Sequence, residues 1–416
     1  METTILVYAN WVLPDGDGSS TPQRVGTLTS TLVRNKELFN FQYAPEWLNS
    51  PYALPIDPEL HLFAGRQFSE DQNFRVFLDS CPDRWGRLLM KRREAAIARM
   101  EGRRAKVLLE TDYLLGVHDQ YRMGGLRFKR DAAGPFLDNN DKQAAPPISS
   151  LRELEYAAKQ VEEDHPSDDP DYLKWLFMLI SPGSSLGGAR PKACVIDTDN
   201  ALWIAKFPSR HDDYDMSAWE FVAYQLALEA GIQMSESRIQ RFNSPYHTFL
   251  TKRFDRKGIQ RLHFTSAMTQ LGYYDGDYEA SYLELAEFIT FHGAQAQQDL
   301  EQLWRRIVFN IAVSNTDDHL RNHGFILGRQ GWCLSPAYDI NPVTPAHGLH
   351  LNITESDNQL DFALAMEVAD YFRLRPARAR SIQEEVRHSV SHWADKAKLL
   401  GISRTAQERM AQAFRF

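Results

Sequence analysis

Three polar residues in the last third of the chain have the types and the spacing that phosphoryl transfer requires. Asp317 is followed five residues later by Asn322, and Asp339 follows after a short predicted hairpin. Phosphoryl transfer needs a carboxylate that orients the attacking hydroxyl and oxygen ligands that hold Mg²⁺ on the phosphates. The spacing predicts that Asp317 orients the hydroxyl and that Asn322 and Asp339 are the metal ligands. The alternative interpretation is a capping turn at a helix end, followed by a plain surface hairpin.

The elements around these residues are predicted to bring them together. Apolar residues recur at helical spacing in the stretch 303–313, which ends in the polar sequence SNTDDHLRN. Gly328 and Gly331 frame the turn of a hairpin, and the end of a hairpin returns beside its start. Asp339 is therefore expected near Asn322, as two ligands of one metal ion must be.

A second group of candidate residues lies about a hundred residues upstream. Lys206 ends the apolar strand WIAKFP, a context in which kinases place the lysine that contacts nucleotide phosphates. The loop SPGSSLGGARPK (181–192) precedes it, and its small residues let backbone N–H groups approach phosphate oxygens. Glu220, at the start of the next predicted helix, is open to two interpretations. It forms either an ion pair with Lys206 or a capping box with Ser217.

Local patterns predict the elements that carry these groups. The stretch 84–100 (RWGRLLMKRREAAIARM) has helical spacing, and so has 217–231, which Ser217 is expected to cap and Gly231 to end. Residues 30–48 (STLVRNKELFNFQYAPEWL) and 113–118 (YLLGVH) have strand-like composition. KACVIDTDNALWIAKF is predicted to be a hairpin that turns at DTDN.

The order of the segments predicts how the chain is divided. Residues 1–130 are predicted to form a β-rich N-terminal subdomain, and residues 131–148, rich in Asp, Asn and Pro, a connector. Residues 149–255 would then form a small lobe with the glycine loop and Lys206. Residues 256–416 would form a helical large lobe with the catalytic loop.

Composition restricts the class of protein. The 416 residues, 43% of them hydrophobic and 25% charged, are ordinary for a globular protein. A net charge of −8 argues against broad nucleic-acid binding by this chain alone. Three separated cysteines without CxxC pairing, and the lack of an apolar run of about 18 residues, favour the reducing cytoplasm and no membrane contact.

Together these motifs resemble the HipA family of bacterial serine/threonine kinases, which are toxins of toxin–antitoxin pairs. The matching segments are YAPEWL, CPDRWGRLL, GGLRF, SSLGGARPK, AKFP, KRFDR, NTDDHLRN and LSPAYD. The resemblance implies an α+β, two-lobed protein-kinase-like fold with a β-rich N-terminal region and a mostly helical C-terminal lobe. It also implies ATP and Mg²⁺ as cofactors.

The resemblance further assigns roles to individual residues. Asp317 would be catalytic, and Asn322 and Asp339 would hold Mg²⁺. Many relatives have Glu where this chain has Lys252, so Lys252 is expected to act through its backbone. The residues that would bind the nucleotide are Gly187, Gly188, Ala189, Arg190, Pro191, Lys192, Lys206, Lys252, Arg253, Phe254, His319, Leu320, Arg321, Asn322, Tyr338 and Asp339.

Regulation and partners are also implied by the resemblance. Ser185, with Ser184 adjacent, matches a serine that relatives phosphorylate to shut the kinase down. A HipB-like DNA-binding antitoxin is the expected partner, with DNA contacted only indirectly through it, and a host protein such as an aminoacyl-tRNA synthetase is the expected substrate. Two other functions stay open from the residues alone: a kinase of a lipid or small alcohol, and a non-catalytic module of an antitoxin–DNA complex.

Overall fold

The computed structural model describes residues 2–13, 21–34, 36–70, 72–140, 145–163, 171–180, 188, 190–277 and 279–416. Its strands are β1 (Glu2–Ala9), β2 (Gln23–Val33), β3 (Lys36–Tyr43), β4 (Arg66–Phe68), β5 (Leu126–Lys129), β6 (Lys192–Ile196), β7 (Leu202–Lys206), β8 (Ser237–Arg241), β9 (His247–Lys252), β10 (Arg256–Lys257), β11 (Gln260–Arg261), β12 (Phe264–Ser266), β13 (Gly324–Gly328) and β14 (Gly331–Leu334). Its helices are α1 (Pro45–Leu48), α2 (Arg75–Asp79), α3 (Arg84–Met100), α4 (Glu110–Leu115), α5 (Leu151–Glu162), α6 (Tyr172–Leu179), α7 (Met216–Glu229), α8 (Ala267–Gln270), α9 (Tyr282–His292), α10 (Ala296–Val313), α11 (Phe362–Glu367), α12 (Pro376–Ser391), α13 (Trp393–Leu399) and α14 (Arg404–Met410). The predicted α+β class is confirmed.

The chain packs into two compact units. The first consists of residues 1–210 and 255–265, and the second of residues 211–254 and 266–416. Lys206 belongs to the first unit, whereas the predicted catalytic loop belongs to the second. The four-part division predicted from the sequence stays a prediction.

The first unit is built on an antiparallel sheet with the strand order β4-β3-β2-β1-β5. Alternating side chains of β1 are buried, among them Ile5 and Val7, each fully inside. Aromatic rings fill the core behind the sheet: Phe77 lies 5.8 Å from the ring centroid of Phe41 and 6.0 Å from that of Phe128. This alternation of buried and exposed residues is what a sheet covered on one face requires.

Two segments whose composition is strand-like contain helices instead. Residues 113–115 lie in α4, which begins after Leu109, where the Asp112 carboxylate accepts the Leu109 amide hydrogen at 2.9 Å. Residues 45–48 form the short helix α1, with Pro45 in its first turn. In both places turn chemistry and capping outweigh the β propensity of Tyr, Trp and Leu. The predicted helix at 84–100 coincides with α3 and is confirmed.

The β6–β7 hairpin of the first unit is confirmed as predicted. Its turn is held by Asp197, whose carboxylate accepts hydrogen bonds from the amides of Asp199 at 2.9 Å and Ala201 at 2.8 Å. Asn200 takes the left-handed backbone conformation, with φ +60°, that such a turn needs.

The second unit has one large apolar core formed mainly by α7, α9, α10 and α12. The predicted helical faces are confirmed: Trp219 and Leu226 of α7 and Trp304 of α10 are at most 2% exposed. Gly231 follows α7 with φ +76°, as predicted for the residue that ends it. No helix in the described ranges is both long and apolar enough to cross a membrane.

The predicted cap of α7 is wrong. Ser217 lies inside the helix, and Asp215 is the N-cap, accepting the Ala218 amide at 3.1 Å. The same carboxylate binds His247 Nδ1 at 2.6 Å, so that a contact distant in sequence selects the cap. Because Glu220 lies five residues after Asp215, it does not belong to a capping box.

Candidate active site

Helix α10 leads from the core of the second unit into the predicted catalytic loop. Its last turns are fully buried, and it ends at Ser314, which has the left-handed φ of +53°. Ser314 Oγ donates to the carbonyl of Ala413 at 2.8 Å, and the amide of Asn315 donates back to Asn310 O at 2.9 Å. A non-glycine residue at positive φ is unfavourable by itself, so these contacts fix the direction in which the loop leaves the helix.

The two adjacent aspartates of the loop have opposite environments. Asp317 is exposed, whereas Asp318 is 3% exposed. Asp318 accepts hydrogen bonds from Tyr282 Oη at 2.5 Å, Asn310 Nδ2 at 2.7 Å and His323 Nε2 at 2.8 Å. Burial works to raise the pKa of Asp318, but His323 and the donated hydrogen bonds outweigh it and lower that pKa. Asp318 therefore anchors the loop, and Asp317 is the carboxylate that faces solvent.

Asn322 is oriented by the loop itself. Its Nδ2 donates to the carbonyl of Asp317 at 2.9 Å, and its amide donates to His319 O at 2.8 Å. With the side-chain nitrogen used in this way, the atom that Asn322 can offer a cation is its carbonyl oxygen. Asn322 is 5% exposed, so this orientation is held within a packed turn.

Asp339 is tied to the same loop through its neighbours. Tyr338 Oη donates to the carbonyl of Arg321 at 2.7 Å, which joins the residue before Asp339 to the residue before Asn322. Asn341 donates from Nδ2 to Asp339 Oδ1 at 3.1 Å and from its amide to Asn315 Oδ1 at 3.2 Å. Asp339 itself has φ +59°.

The hairpin before Asp339 is anchored on α10. Strands β13 and β14 pair from Phe325 with Leu334 to Gly328 with Gly331, as predicted from the sequence. The amide of Leu334 donates to Asp299 Oδ2 at 3.0 Å, and the fully buried Arg306 donates to Ser335 O at 2.6 Å. Two buried side chains of one helix therefore hold the hairpin that returns the chain to the predicted catalytic loop.

The predicted adenine-side residues lie at the end of β9. The Phe254 ring stacks on that of Tyr338, with centroids 5.4 Å apart and planes 27° apart. The amide of Lys252 donates to Glu236 O at 2.8 Å, and its ammonium contacts Glu236 Oε2 at 3.1 Å. Arg253 is 5% exposed. Since the Lys252 amide is already bonded, a backbone contact of this residue with a ligand would have to use another atom or open that bond.

In the first unit, the predicted loop is described only in part. Gly187, Ala189, Ser184 and Ser185 lie outside the described residues. The described Pro191 O accepts the Phe207 amide at 2.8 Å.

Lys192 and Lys206 are partners in the β6–β7 register. Lys192 Nζ is bound to Asp83 Oδ2 at 2.8 Å and to Gly188 O at 2.9 Å, and both side chains of the ion pair are at most 6% exposed. Asp83 also caps α3 by accepting the Gly86 amide at 2.8 Å. The ammonium of Lys192 thus holds the described end of the loop. Its partner in the strand register, Lys206, is buried, with 9% of its surface exposed.

Several functional residues were missed from the sequence. The motif spacing relates Asp317 to Asn322 only, so it singles out neither Asp318 nor His323. A buried amide in an apolar helix, Asn310, was a usable signal, because such a group needs partners. Asp83 lies in the matching segment CPDRWGRLL. Its contact with Lys192 joins positions 109 residues apart, so no local pattern predicts it.

Comparison with known proteins assigns the family. The model of the HipA-like C-terminal domain matches residues 184–394, more than half of the chain. The chain belongs to the HipA family. The fold agrees: HipA of Shewanella oneidensis MR-1, in a toxin–antitoxin complex with HipB and operator DNA, superposes with a TM-score of 0.64 and 18% identity. The superposition covers 94% of this chain and 93% of that chain.

A curated protein of Haemophilus influenzae (strain ATCC 51907 / DSM 11121 / KW20 / Rd), named "Putative kinase", is 25% identical over 210 residues. The match covers 44% of this chain and 61% of that protein, so the chain spans about three fifths of the length of this relative.

The residues of the loop suit a nucleotide with Mg²⁺. A carboxylate at position 339 and an amide oxygen at Asn322 are hard oxygen ligands of the kind that Mg²⁺ prefers. His319 Nδ1 is buried and has no hydrogen-bond partner within the described part of the chain. A buried polar atom of this kind, next to the proposed ligands, is satisfied when a polar ligand binds.

Proposed function

We propose that the chain is an ATP- and Mg²⁺-dependent serine/threonine protein kinase that acts as a toxin of the HipA type. The observation that supports this most directly is the pair Asp317 and Asp318. One carboxylate is exposed, and its neighbour is buried and held by three donors from separate elements. This arrangement fixes the backbone of a catalytic carboxylate without using the carboxylate itself.

The proposed chemistry depends on position and charge. Asp317 accepts a hydrogen bond from the substrate hydroxyl and directs its lone pair at the γ-phosphorus. Asn322 Oδ1 and the Asp339 carboxylate hold Mg²⁺. The ion, when bound, neutralises charge on the phosphates. No covalent intermediate with the protein is needed.

The remaining nucleotide contacts are proposed from the sequence and from local structure. We assign phosphate contacts to Lys206 and to the backbone of Gly187–Lys192. The Phe254–Tyr338 stack offers a flat apolar surface for an adenine ring. Glu220 is 5% exposed and is not part of a cap; we propose its pairing with Lys206 only from the kinase-like order of the two residues along the chain.

Regulation and partners are proposed with the same function. A phosphate on Ser185 or Ser184 would add about −1.5 to −2 charge to a loop that receives other phosphates, and so would inhibit the kinase. The HipA to which this chain is structurally similar was determined with HipB and its operator DNA. We propose a HipB-like antitoxin here too, with a host protein as substrate. The net charge of −8 fits a chain that leaves DNA contact to its partner.

The direct test is transfer of labelled phosphate from ATP to proteins of a host lysate, read by mass spectrometry. Asp317→Asn is expected to lower the rate about 10³-fold, because it removes the hydroxyl's acceptor. Asp370→Asn, an exposed aspartate in another segment, is the matched control and should retain the wild-type rate. Equal melting temperatures would show that both variants fold.

Other results would replace this proposal. Label found only in lipid or small alcohols would make the chain a kinase of those substrates. Wild-type protein that transfers no label would favour a non-catalytic module of an antitoxin–DNA complex. Phosphopeptide mapping after incubation with ATP tests the regulatory part separately, because modification of neither Ser184 nor Ser185 would remove it.

A further inference from the structure

A cavity lies within the first unit, among residues that have no part in the proposed phosphoryl transfer. It has a volume of about 520 Å³. Its wall is formed by the segment after β1, the turn at 119–121, Arg127 of β5, the turn end of the β6–β7 hairpin, and the hairpin of β10 and β11. Sites for small molecules typically have about 300–1,000 Å³, so a compact organic ligand fits this volume.

The wall of this cavity carries more positive than negative charge. Three arginines line it, Arg127, Arg256 and Arg261, together with the single carboxylate of Asp119. Behind them, the fully buried Asp255 pairs with Arg256 at 2.5 Å. Among the described residues that line or back the cavity, three guanidinium groups therefore face two carboxylates, and this set carries one excess positive charge.

Arg261 shows how this charge is left uncompensated. Its Nη1 lies 3.4 Å from the carbonyl oxygens of both Arg122 and Gly124, its Nη2 donates to the carbonyl of Asp119, and its separation from the Asp119 carboxylate is 3.6 Å. Carbonyl oxygens satisfy hydrogen-bond donors but do not cancel a charge. Burial and the neighbouring Arg256 accordingly lower the pKa of Arg261 well below its usual value.

The groups behind the wall do not change the balance. Arg122, fully buried, donates to the carbonyls of Ser80 at 2.8 Å and Val117 at 2.9 Å. The carboxylate of Asp138 acts on Arg122 with the opposite charge. Asp138 also acts on Arg93, and Asp119 acts on Arg122 as well, so these groups supply no spare carboxylate and the excess of positive charge among the described residues persists. An excess charge out of water is unfavourable unless an opposite charge accompanies it.

We propose that this cavity binds a small organic anion, with a carboxylate or phosphate group placed against Arg127 and Arg261. Neutral polar side chains at the rim, such as Gln120 and Gln260, orient the ligand. Apolar side chains, such as Leu202, contact its carbon skeleton. None of its lining residues is assigned to the proposed kinase centre, and the proposal does not depend on kinase activity.

The test places a negative charge in the cavity by one isosteric change. Full-length protein is titrated calorimetrically with citrate, glucose 6-phosphate and the neutral control glucose. At least one of the two anions is expected to bind, and glucose is not. Gln260→Glu should raise the Kd of the bound anion about tenfold, because the new carboxylate repels it and takes its place. Gln330→Glu, on the exposed turn of the β13–β14 hairpin, adds the same charge elsewhere and should leave the Kd unchanged.

The outcomes separate the sources of the anion and the two sites. Binding of citrate alone identifies carboxylates as ligands, and binding of glucose 6-phosphate alone identifies phosphates. Binding must persist in Lys206→Met, which removes a proposed phosphate contact of the nucleotide site; loss of binding in that variant would place the anion at the nucleotide site instead. The inference is overturned when neither anion binds, or when Gln260→Glu and Gln330→Glu have the same effect on the Kd.

Discussion

Two buried aspartates, one in each unit, meet their donors in different ways. Asp119 is 4% exposed and Asp318 is 3% exposed, and the pKa of each is lowered despite burial. Asp119 is held mainly by guanidinium groups, among them Arg127, whose Nε lies at 3.0 Å. Around the cavity, the described guanidinium groups outnumber the described carboxylates by one. Asp318 is held by a phenol, an amide and one imidazole.

The two clusters differ in the net charge that remains after their groups have paired. The three donors of Asp318 come from α9, α10 and the turn before β13, so that one carboxylate completes a network among three elements. The cluster around Asp119 satisfies its hydrogen bonds but keeps an excess of positive charge. We therefore infer that the first network positions the catalytic loop, and that the second is completed by a ligand.

The largest effect on stability is expected from Asp119→Asn. Removal of this carboxylate leaves Arg127 and Arg261 buried with less compensation and should lower the free energy of unfolding by about 4 kcal/mol. Urea unfolding measures the loss. If the comparison is right, citrate or phosphate recovers part of it. Glu46→Gln, an exposed acid-to-amide change in the same unit, is the control and should have no measurable effect.

Asp318→Asn should cost less, about 3 kcal/mol, because its donors are mostly neutral and two of them can still bond an amide oxygen. The same urea titration measures it. Anions should give no recovery here, since no excess cation is left behind. Equal recovery of both variants by anions would show that the two clusters do not differ as described.

The pH dependence of stability gives a smaller and more selective test. The folded-state pKa of Asp318 lies below its unfolded value, so its contribution is present above about pH 4 and is lost as the pH falls through the folded-state pKa. Burial instead raises the pKa of Asp57, in the first unit, to about 6. Its contribution is present at low pH and is lost as the pH rises from about 4 to about 6.

Two differences in unfolding free energy report these contributions. The difference in the free energy of unfolding between wild type and Asp318→Asn should become smaller toward acid pH. The difference between wild type and Asp57→Asn should become smaller toward neutral pH. The same sign of slope for both pairs would contradict the assigned pKa directions.

Elements with strong local periodicity were predictable from the sequence. The apolar faces of α7 and α10 and the β6–β7 and β13–β14 hairpins follow from side-chain spacing and turn residues. The prediction failed where a distant partner decides a local choice. Asp215 rather than Ser217 caps α7 because it also binds His247, 32 residues away. A second failure has a local cause: residues 113–115 are helical because Asp112 caps α4, although Tyr and Leu suit a strand equally well.

For the candidate site, the sequence predicts the motif residues but not the buried residues that hold the loop in place. Spacing singled out Asp317, Asn322 and Asp339, and the loop hydrogen bonds join the neighbours of the last two. The buried groups that hold the loop, Asp318 and Tyr282, carry no spacing signal, because their contact joins positions 36 residues apart. The charge excess around Asp119 depends on pairings across more than a hundred residues, and no local pattern encodes it.

We propose that Asn322 and Asp339 hold one Mg²⁺ ion on a nucleotide beside Asp317. A crystal structure with a non-hydrolysable ATP analogue and Mg²⁺ tests it directly. We expect one ion with Asn322 Oδ1 and an Asp339 carboxylate oxygen both at about 2.1 Å, and Asp317 facing the γ-phosphate. A nucleotide bound elsewhere, or an ion that neither residue ligates, would contradict it.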